Sequence, residues 1–179
     1  YRTNDDGTAT KLGEQAAKVA IMEAETQLES EKRNLEENAH LCGIFELEGL
    51  VDNSRKHVNE MKHDLKAMSQ LWNVADKVEM FIDATKEQVW SCVDLESVEE
   101  HAKALLKEVK GLDKCTRWCD AFQSLDQICK DFLATIPLIV LLGSKCMRQR
   151  HWQALKEATG AKDFVPPCEN ENMSMGDLL

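Results

Sequence analysis

The chain has 179 residues with 22 Lys and Arg against 32 Asp and Glu, a formal charge of −10 at pH 7 and a pI near 5.0. That balance argues against nucleic acid as a principal partner, because phosphate binding draws its affinity from clustered cations. Hydrophobic residues at 43%, charged residues at 30%, and only 8 Gly and 3 Pro describe a folded, helix-rich segment and exclude a disordered or low-complexity one.

The opening Tyr1-Arg2-Thr3-Asn4-Asp5-Asp6 is polar and lacks an initiator Met, so the chain reads as an excerpt without a signal peptide. From about Lys11 to Ala39, Ile21, Ala24, Leu28 and Leu35 recur at helical spacing among strong helix formers, which predicts a long helix with a thin apolar stripe. Gly43 and Gly49 then bracket a short apolar cluster and predict a turn. A second long helix is expected from about Val51 to Val89, on a seam of Val58, Met61, Leu65, Met68, Trp72, Ala75, Val78 and Ile82. The charges around that seam read as a solvated face.

Ser97 and Glu100 fit a capping box that starts a third helix, whose apolar positions run from Val98 to Phe132 with a kink or division at Gly111 and Asp113. Pro137 fits the first turn of a short apolar helix ending near Gly143, and Ser144 the cap of a last one from about Lys145 to Thr159 that stops at Gly160. A polar loop with Pro166-Pro167 leads to Met175-Gly176-Asp177-Leu178-Leu179, where another element would begin. The fold class is all-α: an elongated bundle of long antiparallel helices followed by shorter ones, truncated at both ends. Its parts are 1–50, 51–134 and 135–179. The longest apolar run, Ile136 to Leu142, falls far short of the roughly 20 residues that span a bilayer, so no membrane role is expected.

No phosphate-cradling glycine loop, nucleophile elbow or H-E-x-x-H helix occurs, so neither catalysis nor a bound cofactor is expected in the segment. Seven cysteines, at 42, 92, 115, 119, 129, 146 and 168, read as free thiols. Cys115 and Cys119 would share a helical face as two metal ligands can, but a second pair is missing, and core cysteine with no metal is the favoured reading. The tryptophans at 72, 90, 118 and 152 read as packing residues, with an exposed docking patch as the alternative.

The stretch Ile136-Pro137-Leu138-Ile139 through Met147-Arg148-Gln149-Arg150-His151-Trp152, followed by Thr159-Gly160 and Phe164, resembles the dynein heavy chain where the tail passes into the linker. Met173 to Leu179 looks like that family's Leu-x-Asp-Leu-Leu-like motif, with Met175-Gly176 in place of its usual start. Upstream, Trp90-Ser91-Cys92-Val93-Asp94 and Trp118-Cys119-Asp120-Ala121-Phe122 are similar to its Trp-x-x-Val-Asp and Trp-x-x-Phe motifs, and Trp72 fits the preceding helix. The resemblance covers about Phe45 to Leu179, and the Thr-Gly ending looks more axonemal than cytoplasmic.

The resemblance implies a mechanical, non-catalytic segment of a cilium or axoneme motor: residues 1–50 would end the tail bundle, 51–134 form the tail and linker bundle, and 135–179 start the linker proper. ATP and Mg²⁺ would belong to the AAA+ ring elsewhere in the parent chain. The implied partners are the rest of the heavy chain including that ring, intermediate and light chains or neighbouring heavy chains, and the microtubule through the parent complex alone. An alternative within the same reading is a helical scaffold that binds other subunits through its apolar faces. Trp72, Trp90, Trp118, Phe122, Pro137, Arg150, His151 and Trp152 are the structural and interface candidates. Of these, Arg150, His151 and Trp152 are expected to form a joint, Arg150 by binding a carboxylate or a helix C-terminus.

Overall fold

The computed structural model describes residues 2–3, 9–10, 12–144, 146–160 and 173–177. Arg2–Thr3 (β1) and Ala9–Thr10 (β2) make a two-residue antiparallel pairing. The rest of the described secondary structure is helical: α1 Leu12–Ile44, α2 Asp52–Glu87, α3 Leu95–Lys110, α4 Asp120–Leu142 and α5 Gln149–Thr159, with short 3-10 turns at Glu48–Val51, Trp90–Cys92, Lys114–Thr116 and Met175–Asp177. The all-α class expected from the sequence is the class observed. The expected starts at Lys11 and Lys145, and the loop holding Phe164, Pro166-Pro167 and Cys168, lie outside the described residues. The chain forms two compact units, Tyr1–Asn73 with Leu112–Ser124, and Val74–Gly111 with Leu125–Leu179.

In the first unit α1 runs five residues past its expected end. Gly43 is absorbed into its last turn, and the stop comes at Glu46, whose φ of 53° is left-handed. Leu47 N–H returns to the Cys42 carbonyl (2.8 Å) and Glu46 N–H to Gly43 (3.3 Å), the two bonds of a Schellman ending in which glycine ordinarily takes the left-handed place. The stripe of α1 is thinner than expected: Leu28 is buried, whereas Val19, Met22, Leu41 and Ile44 are each more than half exposed.

The seam of α2 is rotated from the expected one. Its buried residues are Ala67, Leu71, Val74, Val78 and Thr85, while Met61 is exposed and Leu65, Met68, Trp72, Ala75 and Ile82 flank the seam half-buried. Ala67, Leu71 and Val74 are buried one residue before Met68, Trp72 and Ala75 of the expected seam, and the two lines meet at Val78.

The second unit has a core of aromatic and branched side chains. Val98 and Ala102 of α3 meet Phe132 and Ile136 of α4, with Phe81, Ile82, Val93 and Leu133 packed around them. Phe81 stands edge-on to Phe132 at 5.8 Å and 75°, an arrangement favoured by the ring quadrupole. Along α4 the buried residues Leu125, Cys129, Phe132, Ile136 and Ile139 alternate at spacings of four and three. α3 starts three residues before the place the Ser97–Glu100 box gives it: Asp94 is its N-cap, accepting Glu96 N–H (3.2 Å) and Ser97 N–H (3.4 Å).

Pro137 does not open a helix; it lies inside α4. An interior proline removes one backbone bond and costs about 3 kcal/mol. Here the ring is exposed while Ile136 (2% exposed) and Ile139 (3%) are buried on the opposite side. At roughly 1.5–3 kcal/mol for each fully buried branched side chain, those two offset the loss and the helix runs through. The division at Gly111 is observed, with α3 capped there and a connector of residues 112–119 before α4.

Candidate mechanical junction

The second unit holds a junction of four segments. Between α2 and the 3-10 turn at Trp90–Cys92 the chain is extended at Val89, and Met173 to Met175 lie antiparallel beside it: Trp90 N–H donates to the Met173 carbonyl (2.9 Å), Met175 N–H donates to the Gln88 carbonyl (2.9 Å), and Val89 bridges Ser174. Met173 is 2% exposed and Met175 0%. Ser174 and Asp177 close the end, Asp177 Oδ2 accepting both Ser174 N–H (2.9 Å) and Ser174 Oγ–H (3.0 Å). Gly176 lies against the end of α2, where an added Cβ would come within 3.3 Å of both Lys86 Cβ and the Lys86 carbonyl, so only glycine permits this approach without a shift. The motif expected to begin a new element does so as the 3-10 turn Met175–Asp177, and Met173 to Met175 fold back against the end of α2 as a clamp. The only sequence signal for it is Met-Ser-Met, an alternation too short to separate from chance.

Trp90 and Trp152 form the aromatic part of the junction, edge to face at 6.3 Å and 73°. Trp152 is 4% exposed and Trp90 half-buried. A Cβ at Gly143, just past α4, would lie 3.4 Å from Trp90 Cζ2, so the indole fits against the end of that helix. The junction thus joins the end of α2, the end of α4, the first turn of α5 and the clamp segment.

Ser144 does not cap α5; its Oγ accepts Cys146 N–H (3.3 Å) in the intervening turn, and α5 begins at Gln149. His151 closes the first turn instead, with Nδ1 accepting Arg148 N–H at 3.1 Å. Arg150 Nε lies 3.2 Å from His151 Nε2, an imidazole in place of the expected carboxylate. A neutral imidazole has one acceptor nitrogen, so one of these two contacts at a time is a hydrogen bond. α5 ends at Gly160, φ 72°, as expected from sequence.

The structure brings together Trp90 and Trp152, and His151 with Arg150 on the exposed side of the first turn of α5. Trp118 is 78% exposed, against the packing reading for that residue, because it precedes α4 and has no seam to join. Phe122 is half-buried, Pro137 and Arg150 are exposed, and Trp72 buries an indole N–H that has no hydrogen-bond partner among the described residues.

Cys115 and Cys119 do not share a helix: Cys115 lies in the 3-10 turn and Cys119 just before α4, since Asp113 caps the turn by accepting Cys115 N–H (3.0 Å). That hydrogen bond chiefly holds the Asp113 carboxyl below the usual carboxylate range. Cys129 is buried on the α4 seam, and burial, helped by the Asp126 charge, pushes its thiol up to about 11. It behaves as the core cysteine expected.

Residues 58–179 match the family model for dynein heavy chain, N-terminal region 2. The chain belongs to the dynein heavy chains. It is 31% identical over all 179 residues to the dynein alpha chain of the flagellar outer arm from Chlamydomonas reinhardtii, and covers 4% of that protein. It is 30% identical to dynein axonemal heavy chain 11 of Sus scrofa over 152 residues, 85% of this chain and 3% of the relative. Against the ciliary dynein beta chain of Tripneustes gratilla it is 29% identical over 153 residues, 86% of this chain and 3% of the relative. Among the described residues of this dynein segment, no helix is long and apolar enough to cross a membrane.

Proposed function

We propose that this chain is a non-catalytic, force-transmitting segment of the tail-to-linker region of an axonemal dynein heavy chain. The observation that carries the reading is the junction at the end of α2. α2 is a continuous helix of 36 residues, about 54 Å at 1.5 Å per residue. Its end is tied by backbone hydrogen bonds to Met173–Met175 and by the Trp90–Trp152 contact to α5. A displacement of the chain beyond residue 177 therefore loads α2 through hydrogen bonds and buried aromatic surface. The absence of a phosphate-cradling loop in the sequence supports leaving ATP and Mg²⁺ to the AAA+ ring of the parent chain. The axonemal, flagellar and ciliary names of the relatives support a place in the axoneme.

A second reading is favoured by the first unit, where Val19, Met22, Leu41, Ile44, Phe45, Leu47 and Leu50 are all more than half exposed. Beside them α1 and α2 line an open groove with acidic Glu25, Glu29 and Glu36 from α1, basic Arg55, Lys62 and Lys66 from α2, and apolar Leu28, Leu35, Val58 and Leu65. This part of the segment would act as a scaffold for intermediate or light chains, or for a neighbouring heavy chain.

Lysine cross-linking with mass spectrometry on the intact parent complex, with and without nucleotide, distinguishes the two. Nucleotide-dependent links from Lys107 or Lys156 to the AAA+ ring are expected for a moving linker segment. Links from Lys62 and Lys66 to other subunits, unchanged by nucleotide and with none to the ring, would make the segment a static scaffold.

A further inference from the structure

We propose that His63, Asp113 and Cys115 form a binding site for one thiophilic divalent cation, zinc by the chemistry of the donors, which pins the connector between α3 and α4 to α2. All three residues belong to the first unit. One ligand atom from each lies within 4.8 Å of the others, and His63 Nε2 stands 3.2 Å from Asp113 Oδ2. Zinc bonds of about 2.0–2.3 Å in tetrahedral geometry set ligand atoms roughly 3.3–3.8 Å apart. The His–Asp pair is already near that spacing, and closing the third corner takes about 1 Å of side-chain rotation.

The arrangement around the three donors is that of a prepared site. Asp113 Oδ1 is occupied by Cys115 N–H, which leaves Oδ2 turned to His63. The turn that carries both Asp113 and Cys115 is fixed by Thr116, 1% exposed, whose Oγ1–H donates to the Asp113 carbonyl at 2.8 Å. On the other side of the imidazole, the Asp64 carboxylate stands 3.6 Å from His63 Nδ1, beyond hydrogen-bond distance. A divalent cation would be charge-balanced by the Asp113 carboxylate and would take the Cys115 sulfur as thiolate. An exposed His–Asp pair alone is worth little and gives no reason for a thiol beside it. Nitrogen, sulfur and one carboxylate select zinc over magnesium or calcium, and three protein ligands leave the fourth position to water.

Cobalt(II), titrated into the full 179-residue chain, is the probe, with zinc as competitor. A single equivalent with thiolate-to-cobalt charge-transfer absorption is expected, displaced by zinc. Cys115→Ser should abolish the absorption, and His63→Ala and Asp113→Asn should each weaken binding by about tenfold or more. Cys119→Ser should bind as the wild type does. His63 is exposed, so His63→Ala tests the site with the helical circular dichroism unchanged even if Cys115→Ser perturbs the connector. The proposal is overturned if the wild-type chain gives no charge-transfer absorption, if the absorption survives Cys115→Ser, or if His63→Ala binds cobalt as tightly as the wild type.

Discussion

Trp152→Ala tests the junction most directly. A tryptophan buries about 150–250 Å², and at about 25 cal/mol/Å² its removal from water is worth up to roughly 4–6 kcal/mol. Trp152 is 4% exposed, so nearly all of that area counts. Alanine keeps the share of the β-carbon and the surroundings relax into part of the space, which brings the expected loss to about 3–5 kcal/mol. The assay is urea unfolding followed by the helical circular dichroism, which does not depend on the indoles being replaced. With a slope of about 2 kcal/mol/M, the midpoint should fall by roughly 1.5–2.5 M. Trp118→Ala is the control: at 78% exposure it should move stability by no more than about 0.5 kcal/mol. A double-mutant cycle with Trp90→Ala should return a coupling of about 0.5–1.5 kcal/mol for the edge-to-face pair. If Trp152→Ala is no worse than Trp118→Ala, or if the cycle gives no coupling, α5 does not load the end of α2 and the force-transmission argument loses its path.

Glu46→Gly should raise stability by about 1 kcal/mol in the same urea assay, because the side chain occupies the left-handed position of the Schellman ending at φ 53°; a loss would mean that α1 ends elsewhere. Pro137→Ala should stabilise α4 by about 1–3 kcal/mol, since an exposed interior position regains its backbone donor. Unchanged stability would show that the carbonyl freed by the proline is satisfied in another way. Asp94→Ala should cost about 1 kcal/mol for the N-cap of α3, whereas Ser97→Ala should not, and the opposite order would restore the capping box. For Cys129 the folded-state thiol is raised from 9.0 to about 11, so burial of the neutral form contributes stability that is complete below pH 9. It is lost as pH rises through about 11, at up to about 1.4 kcal/mol per pH unit. The wild-type chain should therefore lose more stability than Cys129→Ala between pH 8 and about 10.5, and equal losses would contradict a buried thiol.

The long helices were legible because their signal is local: helix-forming composition in α1, a sustained three-and-four spacing in α2 and α4, and glycines at 111 and 160. What was not legible depends on where a helix faces. The seam of α2 falls on Ala67, Leu71 and Val74, one residue before the expected Met68, Trp72 and Ala75, and rejoins the expected line at Val78; a spacing of three and four fits either line, and the packing partner decides between them. The ends of α1 and the course of α4 turned on energies that compete across distance. Glu46 takes a glycine's conformation because the turn is held by bonds to Cys42 and Gly43, and Pro137 stays helical because Ile136 and Ile139 are buried on the opposite face.

The junction was half legible. Trp90 and Trp152 were singled out by sequence, but the backbone of Trp90 is tied to Met173, more than 80 residues away in a segment without any periodic signal. The run from Ile136 to Leu142 shows the same dependence on distant chain. Ile136 and Ile139 face the core, yet Leu138, Val140 and Leu141 on the remaining faces are exposed at 58%, 51% and 67%. Leu138, Val140 and Leu141 thus make an exposed apolar stretch on a helix that is amphipathic in its first half, where it carries Asp126, Lys130 and Asp131. The exposed side of this run lies away from the seam that holds α3, while its buried side places Ile136 with Phe132 in the core. The Trp90 indole seats against Gly143 just past the end of the helix, so which side of the run is buried is decided by contacts with distant chain and is not written in the run itself.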